Sequence, residues 1–84
     1  MKTKQPRPRP ISVIALDIRS NWKRVNYAAV PYLDAMLEID SLDDVYWFES
    51  ARSIVLRFLS NAGTFRGEHA RRLKGELKTL LGGV

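Results

Sequence analysis

The sequence of 84 residues has no cysteine, only one histidine and only five glycines. The absence of cysteine excludes disulfides, thiolate metal sites and cysteine nucleophiles, and it is typical of a protein of the reducing cytoplasm. His69 has no second histidine to complete a metal site, so we expect it to face solvent. None of the glycines belongs to a Gly-Lys-Ser/Thr phosphate loop. The chain is therefore predicted to be no enzyme and to need no metal or cofactor.

Long apolar runs are also missing. The first run, residues 11–16, is interrupted by Asp17 and Arg19 before it reaches the length of a signal peptide or a membrane span. We therefore expect no contact with a membrane and a cytoplasmic location. A chain this short supports one hydrophobic core and no deep substrate cavity.

The N-terminal nine residues alternate proline with cations and contain no apolar residue after Met1. This pattern predicts a flexible, solvated arm over 1–9, followed by a single helical domain over 10–84.

Apolar residues then recur every three or four positions in four segments, which predicts an all-α fold, a compact bundle of about four short helices. No alternating run predicts a strand. Pro31 fits only the first turn of its helix or a kink, Gly63 is expected to end the third helix, and Thr64 can cap the fourth. The predicted helices are about 10–24, 28–38, 48–62 and 66–81.

Carboxylates cluster between the second and third of these helices, including Asp40, Asp43 and Asp44. They lack the regular spacing and the glycine of a calcium loop. Ser41 followed three residues later by Asp44 is instead typical of a helix start, so capping explains this cluster better than a metal does.

Charge is sorted along the chain into three blocks. Residues 1–24 carry seven cations and one anion, residues 25–51 carry six anions and no cation, and residues 52–84 carry seven cations and two anions. This order exceeds what an ordinary amphipathic protein requires and predicts a binding function.

The last predicted helix presents a basic face, because Arg71, Lys74 and Lys78 recur at three- and four-residue spacing opposite a leucine stripe. That face could contact phosphates, or it could simply be the solvated side of an amphipathic helix, and the sequence favours neither. The candidate partner or phosphate contacts are Arg66, Arg71, Arg72, Lys74 and Lys78.

Three consecutive aromatic residues, Tyr46, Trp47 and Phe48, cannot all face one side of a helix. At least one is expected near the surface, with Tyr46 and Trp47 as the candidate surface aromatics for a protein partner. Packing beneath a loop is the favoured alternative, because a small core needs aromatic area, and Trp22 and Phe58 are predicted core residues for that reason.

Several segments resemble a family of small uncharacterised proteins from bacteriophages and mobile elements. The most specific are Pro31-Tyr-Leu-Asp-Ala-Met36, Phe58-Leu-Ser-Asn-Ala62 and Thr64-Phe-Arg-Gly-Glu68, where Phe65 takes the place of an expected tryptophan. The resemblance covers most of residues 11–80 and brings no active site with it. It implies a phage or plasmid setting, in which small non-enzymatic proteins commonly inhibit host machinery, as anti-CRISPR and other anti-defence inhibitors do.

Two functions follow as predictions. The first is a non-enzymatic inhibitor of the anti-CRISPR or anti-defence type that binds a host protein or protein–nucleic-acid complex. The alternative is a nucleic-acid-binding accessory or regulatory protein that uses the basic face of the last helix. Pairing of acidic and basic blocks between copies would also permit a homo-oligomer.

Overall fold

The computed structural model describes residues 9–82, which form four α-helices, a 3₁₀ helix and a two-stranded antiparallel sheet. The chain is thus mostly helical, as the apolar periodicity predicts. The predicted arm, apart from its last residue, lies outside the described residues. In chain order the elements are α1 (Ile11–Asn21), the 3₁₀ helix (Tyr27–Ala29), α2 (Val30–Met36), β1 (Val45–Tyr46), β2 (Glu49–Ser50), α3 (Ala51–Ser60) and α4 (Glu68–Leu80).

The first helix is shorter than its predicted span of 10–24. Pro10 precedes it, and the helix ends at Asn21 because Trp22 adopts an extended conformation. That conformation turns the indole of Trp22 into the core, where it stacks on Phe65 with ring centroids 5.0 Å apart and packs edge-on against Phe58 at 6.1 Å.

The second helical segment begins with the 3₁₀ helix, whose first amide groups are capped by Asn26. Pro31 lies in the first turn of α2, where its missing N–H costs no helical hydrogen bond. The predicted end at residue 38 is two residues beyond Met36, the last residue of α2.

The prediction of a helix from residue 48, and of no strand in the chain, is wrong. Residues 45–50 form a hairpin in which Val45 pairs with Ser50 and Tyr46 with Glu49. Valine and aromatic residues favour such extended pairing. The helix begins only at Ala51, because the Ser50 hydroxyl accepts a hydrogen bond from the N–H of Ser53 and caps it.

The predictions that Gly63 ends the third helix and that Thr64 caps the fourth are also wrong. The third helix ends at Ser60 without a glycine in the left-handed region, since Gly63 has no positive φ. The N-cap of α4 is Gly67, with φ +109°, and no side chain caps it, so Thr64 does not serve this role. Only a residue without a Cβ adopts this φ freely, which places the helix start two residues later than predicted.

The core lies between two helix pairs, α1 against α4 and α2 against α3. Trp22 and Phe58 belong to it, which confirms their predicted place. No helix within the described range is long and apolar enough to cross a membrane. The largest fully buried side chains are Phe58, Ile11, Ile14, Ile18, Met36, Ile54, Leu73, Leu77 and Val55.

Arg9 is the last residue of the predicted arm, and its guanidinium pairs with carboxylates of α1 and α4. It donates to both carboxylate oxygens of Glu76 on α4, at 2.9 and 2.7 Å, and to Asp17 on α1 at 2.8 Å. Glu76 also lies 3.5 Å from Arg72. Arg9, a residue of the predicted arm, therefore contacts the helices.

Candidate functional site

The hairpin ends in a two-residue loop made of Trp47 and Phe48. Trp47 has φ +60° and is the only non-glycine residue with positive φ among residues 9–82. Hairpin loops of this length normally place glycine, asparagine or aspartate at such a position, because a Cβ crowds the backbone there. The sequence thus accepts local strain at the place where it exposes a tryptophan, and strain of this kind is common at functional sites.

The side chains of this loop project into solvent. Trp47 is 79% exposed, Phe48 is 100% exposed, and Val45 on β1 is 65% exposed. We call these three residues the aromatic tip. Tyr46, in contrast, is partly buried against the core and meets the indole of Trp47 edge-on, with ring centroids 6.5 Å apart. Tyr46 therefore packs between the core and the indole of Trp47.

The charged groups beside the aromatic tip pair with each other. Glu49 on β2 forms an ion pair with Arg57 on α3 at 2.7 Å and accepts a hydrogen bond from the Ser53 hydroxyl. Arg57, the cation that lines the same surface depression as Trp47 and Phe48, is thereby neutralised. The tip thus combines exposed aromatic area with no unpaired cation along its own stretch of chain.

Packing beneath the loop, the favoured expectation for an aromatic residue near the surface, is wrong for Trp47 and Phe48. Trp47 is exposed, as one of the two predicted surface aromatics, whereas Tyr46 is half-buried. Phe48 and Val45 are exposed although neither was a predicted surface candidate. Their exposure was not predicted because residues 48–62 fit a helical pattern. The hairpin also lacks the Asn-Gly or Asp-Gly loop by which a hairpin is usually recognised in a sequence. The β-branched and aromatic residues flanking it were the only signal.

The carboxylates before the hairpin accept hydrogen bonds that stabilise the loop in which they lie. The Asp44 carboxylate accepts hydrogen bonds from the backbone N–H groups of Asp40 at 2.7 Å and Ser41 at 3.1 Å, which lowers the pKa of Asp44. Asp40 accepts from the Ser12 hydroxyl on α1 at 2.7 Å. The prediction that Ser41 opens a helix is replaced by a tight turn, in which Asp44 still caps backbone amides.

The basic face of α4, together with the end of the loop before it, lines an open depression that contains Phe65 and Ala70. We call this feature the basic groove, and its cations are Arg66, Arg71, Lys74 and Lys78. Within the described part of the chain no carboxylate lies within 4.0 Å of any of them. The carboxylates of the acidic block therefore leave these four cations free.

Lys74 occupies the centre of the basic groove. Its ammonium group lies 5.9 Å from the centroid of the Phe65 ring, within the range of a cation–π contact. Burial lowers the pKa of Lys74, and the neighbouring charges of Lys78 and Arg66 lower it further. A partly desolvated cation among like charges gains from an anionic ligand.

The fifth predicted contact, Arg72, does not line the basic groove. It lies on the other flank of α4, within 3.5 Å of Glu76 in the cluster around Arg9. Helical spacing explains the separation, because residues 71 and 72 point about 100° apart. Four of the five predicted cations thus share one surface.

His69 is exposed, which confirms its predicted position. Across residues 9–82 no three histidine, aspartate or glutamate side chains come together as a metal site would require. The chain matches no protein-family model, no curated protein and no solved structure. The resemblance to phage and mobile-element proteins therefore stays a prediction.

Proposed function

We propose that this protein is a non-catalytic binding protein that engages a protein partner through the aromatic tip. The observation that carries the proposal is the exposure of Trp47 and Phe48 on a loop that holds Trp47 at φ +60°. Neither the strain nor the exposure benefits the isolated fold. Both are accounted for if the two rings enter a pocket on a partner.

The chemistry of the tip suits a protein interface. Tryptophan and other large aromatic side chains dominate the binding energy of interfaces, and each buries about 150–250 Å². Trp47 and Phe48 stand next to each other on a two-residue loop, so they would present their area to one pocket. The Tyr46 ring meets the Trp47 indole edge-on, and a ring with a partner in the free protein loses less entropy on binding.

The charges around the tip favour protein over nucleic acid as the partner. Exposed aromatic rings can stack on bases, but nucleic-acid sites combine such rings with cations that follow the phosphates. Residues 25–51, which include the tip, carry six anions and no cation. The matching surface is an apolar pocket, since Glu49 and Arg57, the two charges beside the tip, already pair with each other.

The class of partner that we propose is a host defence complex, with this protein as an anti-CRISPR or anti-defence type inhibitor in the host cytoplasm. This part of the proposal is supported by the resemblance to phage and mobile-element proteins and by the absence of cysteine. Inhibition would follow from occlusion, because an 84-residue chain without a catalytic constellation acts by covering a surface.

Site-specific photocrosslinking tests the proposal. A benzophenone amino acid replaces Phe48 at the tip, and in a matched control it replaces Leu16, which is 57% exposed on α1. After irradiation in a nuclease-treated host lysate, we expect a discrete protein adduct from position 48 and none from position 16. Equal labelling from both positions, or no adduct from position 48, would contradict the proposal.

A further inference from the structure

We propose that the basic groove is a second binding site, which takes the phosphodiester backbone of a nucleic acid. It shares no residue with the aromatic tip, so this inference does not rest on the proposed protein partner. The nucleic-acid function predicted from the sequence is thereby assigned to four particular cations, Arg66, Arg71, Lys74 and Lys78.

The first argument is that four cations are gathered on one surface without a carboxylate among them. Arg9, Arg57 and Arg72 form ion pairs within the fold, whereas the groove cations, like Arg19, Lys23, Arg24 and Arg52, have no carboxylate within 4.0 Å in the described range, and only the groove cations line a common depression. Gathering four like charges in one groove costs electrostatic free energy that folding alone does not recover. An anionic ligand offsets that cost.

The second argument is the arrangement of the charges. Arg71, Lys74 and Lys78 are separated by three and four residues of one helix, so they follow its axis at intervals of about 4.5 and 6 Å. Arg66 extends the row beyond the helix start, where its guanidinium donates to the Gly63 carbonyl at 3.3 Å. A row of cations suits a ligand with a charge at each repeating unit, and a nucleic-acid backbone is such a ligand.

The third argument separates nucleic acid from an acidic protein segment. A protein ligand normally gains its affinity from apolar anchors in a central pocket. The apolar residues of the groove cannot serve, because Phe65 is 3% exposed and Ala70 is 1% exposed. What the groove offers is charge, and charge supplies most of the affinity for a phosphate backbone but little of the affinity for a peptide.

The basic groove is also open enough at its glycines for a phosphodiester backbone to approach. A Cβ placed on Gly67 or Gly75 would meet no atom within 4 Å, so no other part of the fold covers this side of α4. Lys74, held over the Phe65 ring, stands at the centre of that open strip. Its partial burial strengthens its attraction to a phosphate, because an ion pair is stronger where water is excluded.

Binding of the full chain to 20-nucleotide single-stranded and duplex DNA, measured by fluorescence anisotropy at about 50 and 200 mM salt, tests the inference. If all four cations meet phosphates, affinity falls roughly 50-fold for the single strand and roughly 150-fold for the duplex over that range. The double variant Arg71→Gln/Lys78→Gln leaves two contacts, so the loss shrinks to roughly 7- to 12-fold. Both changed residues are exposed, and glutamine favours a helix, so the variant should fold.

The matched control is Arg19→Gln/Arg24→Gln, which removes the same charge from exposed positions outside the groove. We expect its salt dependence to equal that of the unchanged protein. Absence of binding at about 50 mM salt would overturn the inference, and so would equal effects of the two double variants. Polyglutamate is the competitor for the acidic-protein alternative, and displacement as effective as that by DNA would assign the groove to protein instead.

A variant of the tip keeps the two proposals apart. Trp47→Ser/Phe48→Ser removes the aromatic anchors and leaves every groove residue in place. It should bind DNA as the unchanged protein does. If the photocrosslink at position 48 fails while the salt dependence of Arg71→Gln/Lys78→Gln is as expected, the proposed protein partner is wrong and the groove assignment holds.

Discussion

The guanidinium of Arg9 donates two hydrogen bonds to the carboxylate of Glu76, 67 positions further along the chain, at 2.9 and 2.7 Å. The same guanidinium reaches Asp17, so it joins the start of the domain to both α1 and α4. Such a two-pronged pair holds its geometry better than a single contact does. Arg9, the last residue of the predicted arm, is therefore held against α1 and α4.

Arg9→Ala should destabilise the fold by about 1 kcal/mol in urea unfolding, because it removes the cation that pairs with both Glu76 and Asp17 in a network that is only partly shielded from solvent. Arg19→Ala on the exposed side of α1 is the control, since Arg19 has no carboxylate within 4.0 Å among residues 9–82. We expect no measurable change from it. Equal free energies of unfolding for the two variants would show that the Arg9 network contributes nothing.

Asp44→Asn should remove an acid-sensitive part of the stability. Two backbone N–H groups lower the pKa of Asp44, so its stabilising effect is present above the ordinary aspartate pKa of about 3.9 and is lost as pH falls through the lower folded-state value. The thermal midpoints of variant and unchanged protein should differ at about pH 7 and converge at about pH 2. Asp43→Asn, which changes the same charge one residue away, should show no such convergence, and a convergence there would indicate a general charge effect.

Trp47→Gly should stabilise the fold by up to about 1 kcal/mol, since glycine accepts the positive φ of this position without a clash. Little buried area is lost, because the indole is mostly exposed. Phe48→Gly is the control in the same loop, and it should be neutral or destabilising, because φ of Phe48 is not positive. Chemical denaturation of both variants gives the comparison, and a lower stability for Trp47→Gly would contradict the strain described for the hairpin.

The basic groove should lose affinity for DNA at moderately alkaline pH. Because the pKa of Lys74 is lowered by burial and by Lys78 and Arg66, its charge is lost at a lower pH than that of an ordinary lysine. Affinity for a 20-nucleotide single strand should fall as pH rises above neutral, at a lower pH than an ordinary lysine with a pKa of about 10.4 would give. Lys74→Arg should reduce that fall, because an arginine stays protonated throughout. An identical pH profile for Lys74→Arg would exclude Lys74 as its source.

Much of the fold follows from the sequence because its helices carry regular apolar stripes. Leu73 and Leu77 on α4, and Ile54 and Phe58 on α3, are buried as their spacing predicts. The helix ends were less predictable, because Gly67 and Ser50 set them through backbone conformation and capping that compete with other plausible residues nearby.

The candidate sites were predictable to different degrees. Helical spacing was sufficient to place Arg71, Lys74 and Lys78 on one face, since that geometry is local. The pairing of Arg72 with Glu76, four residues further along α4, is local as well, but the contact of Arg9 with Glu76 joins residues 67 positions apart, and no helical spacing predicts it. The exposure of Phe48 was missed because its loop contains none of the residues that usually announce a hairpin.

The most direct test of the account is capture of a partner by purified protein immobilised in nuclease-treated host lysate. Trp47→Ser/Phe48→Ser removes the exposed aromatic rings, and Leu16→Ser removes an exposed apolar residue of α1 as the matched control. The account predicts that the unchanged protein and Leu16→Ser retain the same protein in stoichiometric amount and that the tip variant retains none. Equal retention by the tip variant would contradict the proposal that the aromatic tip is the binding site.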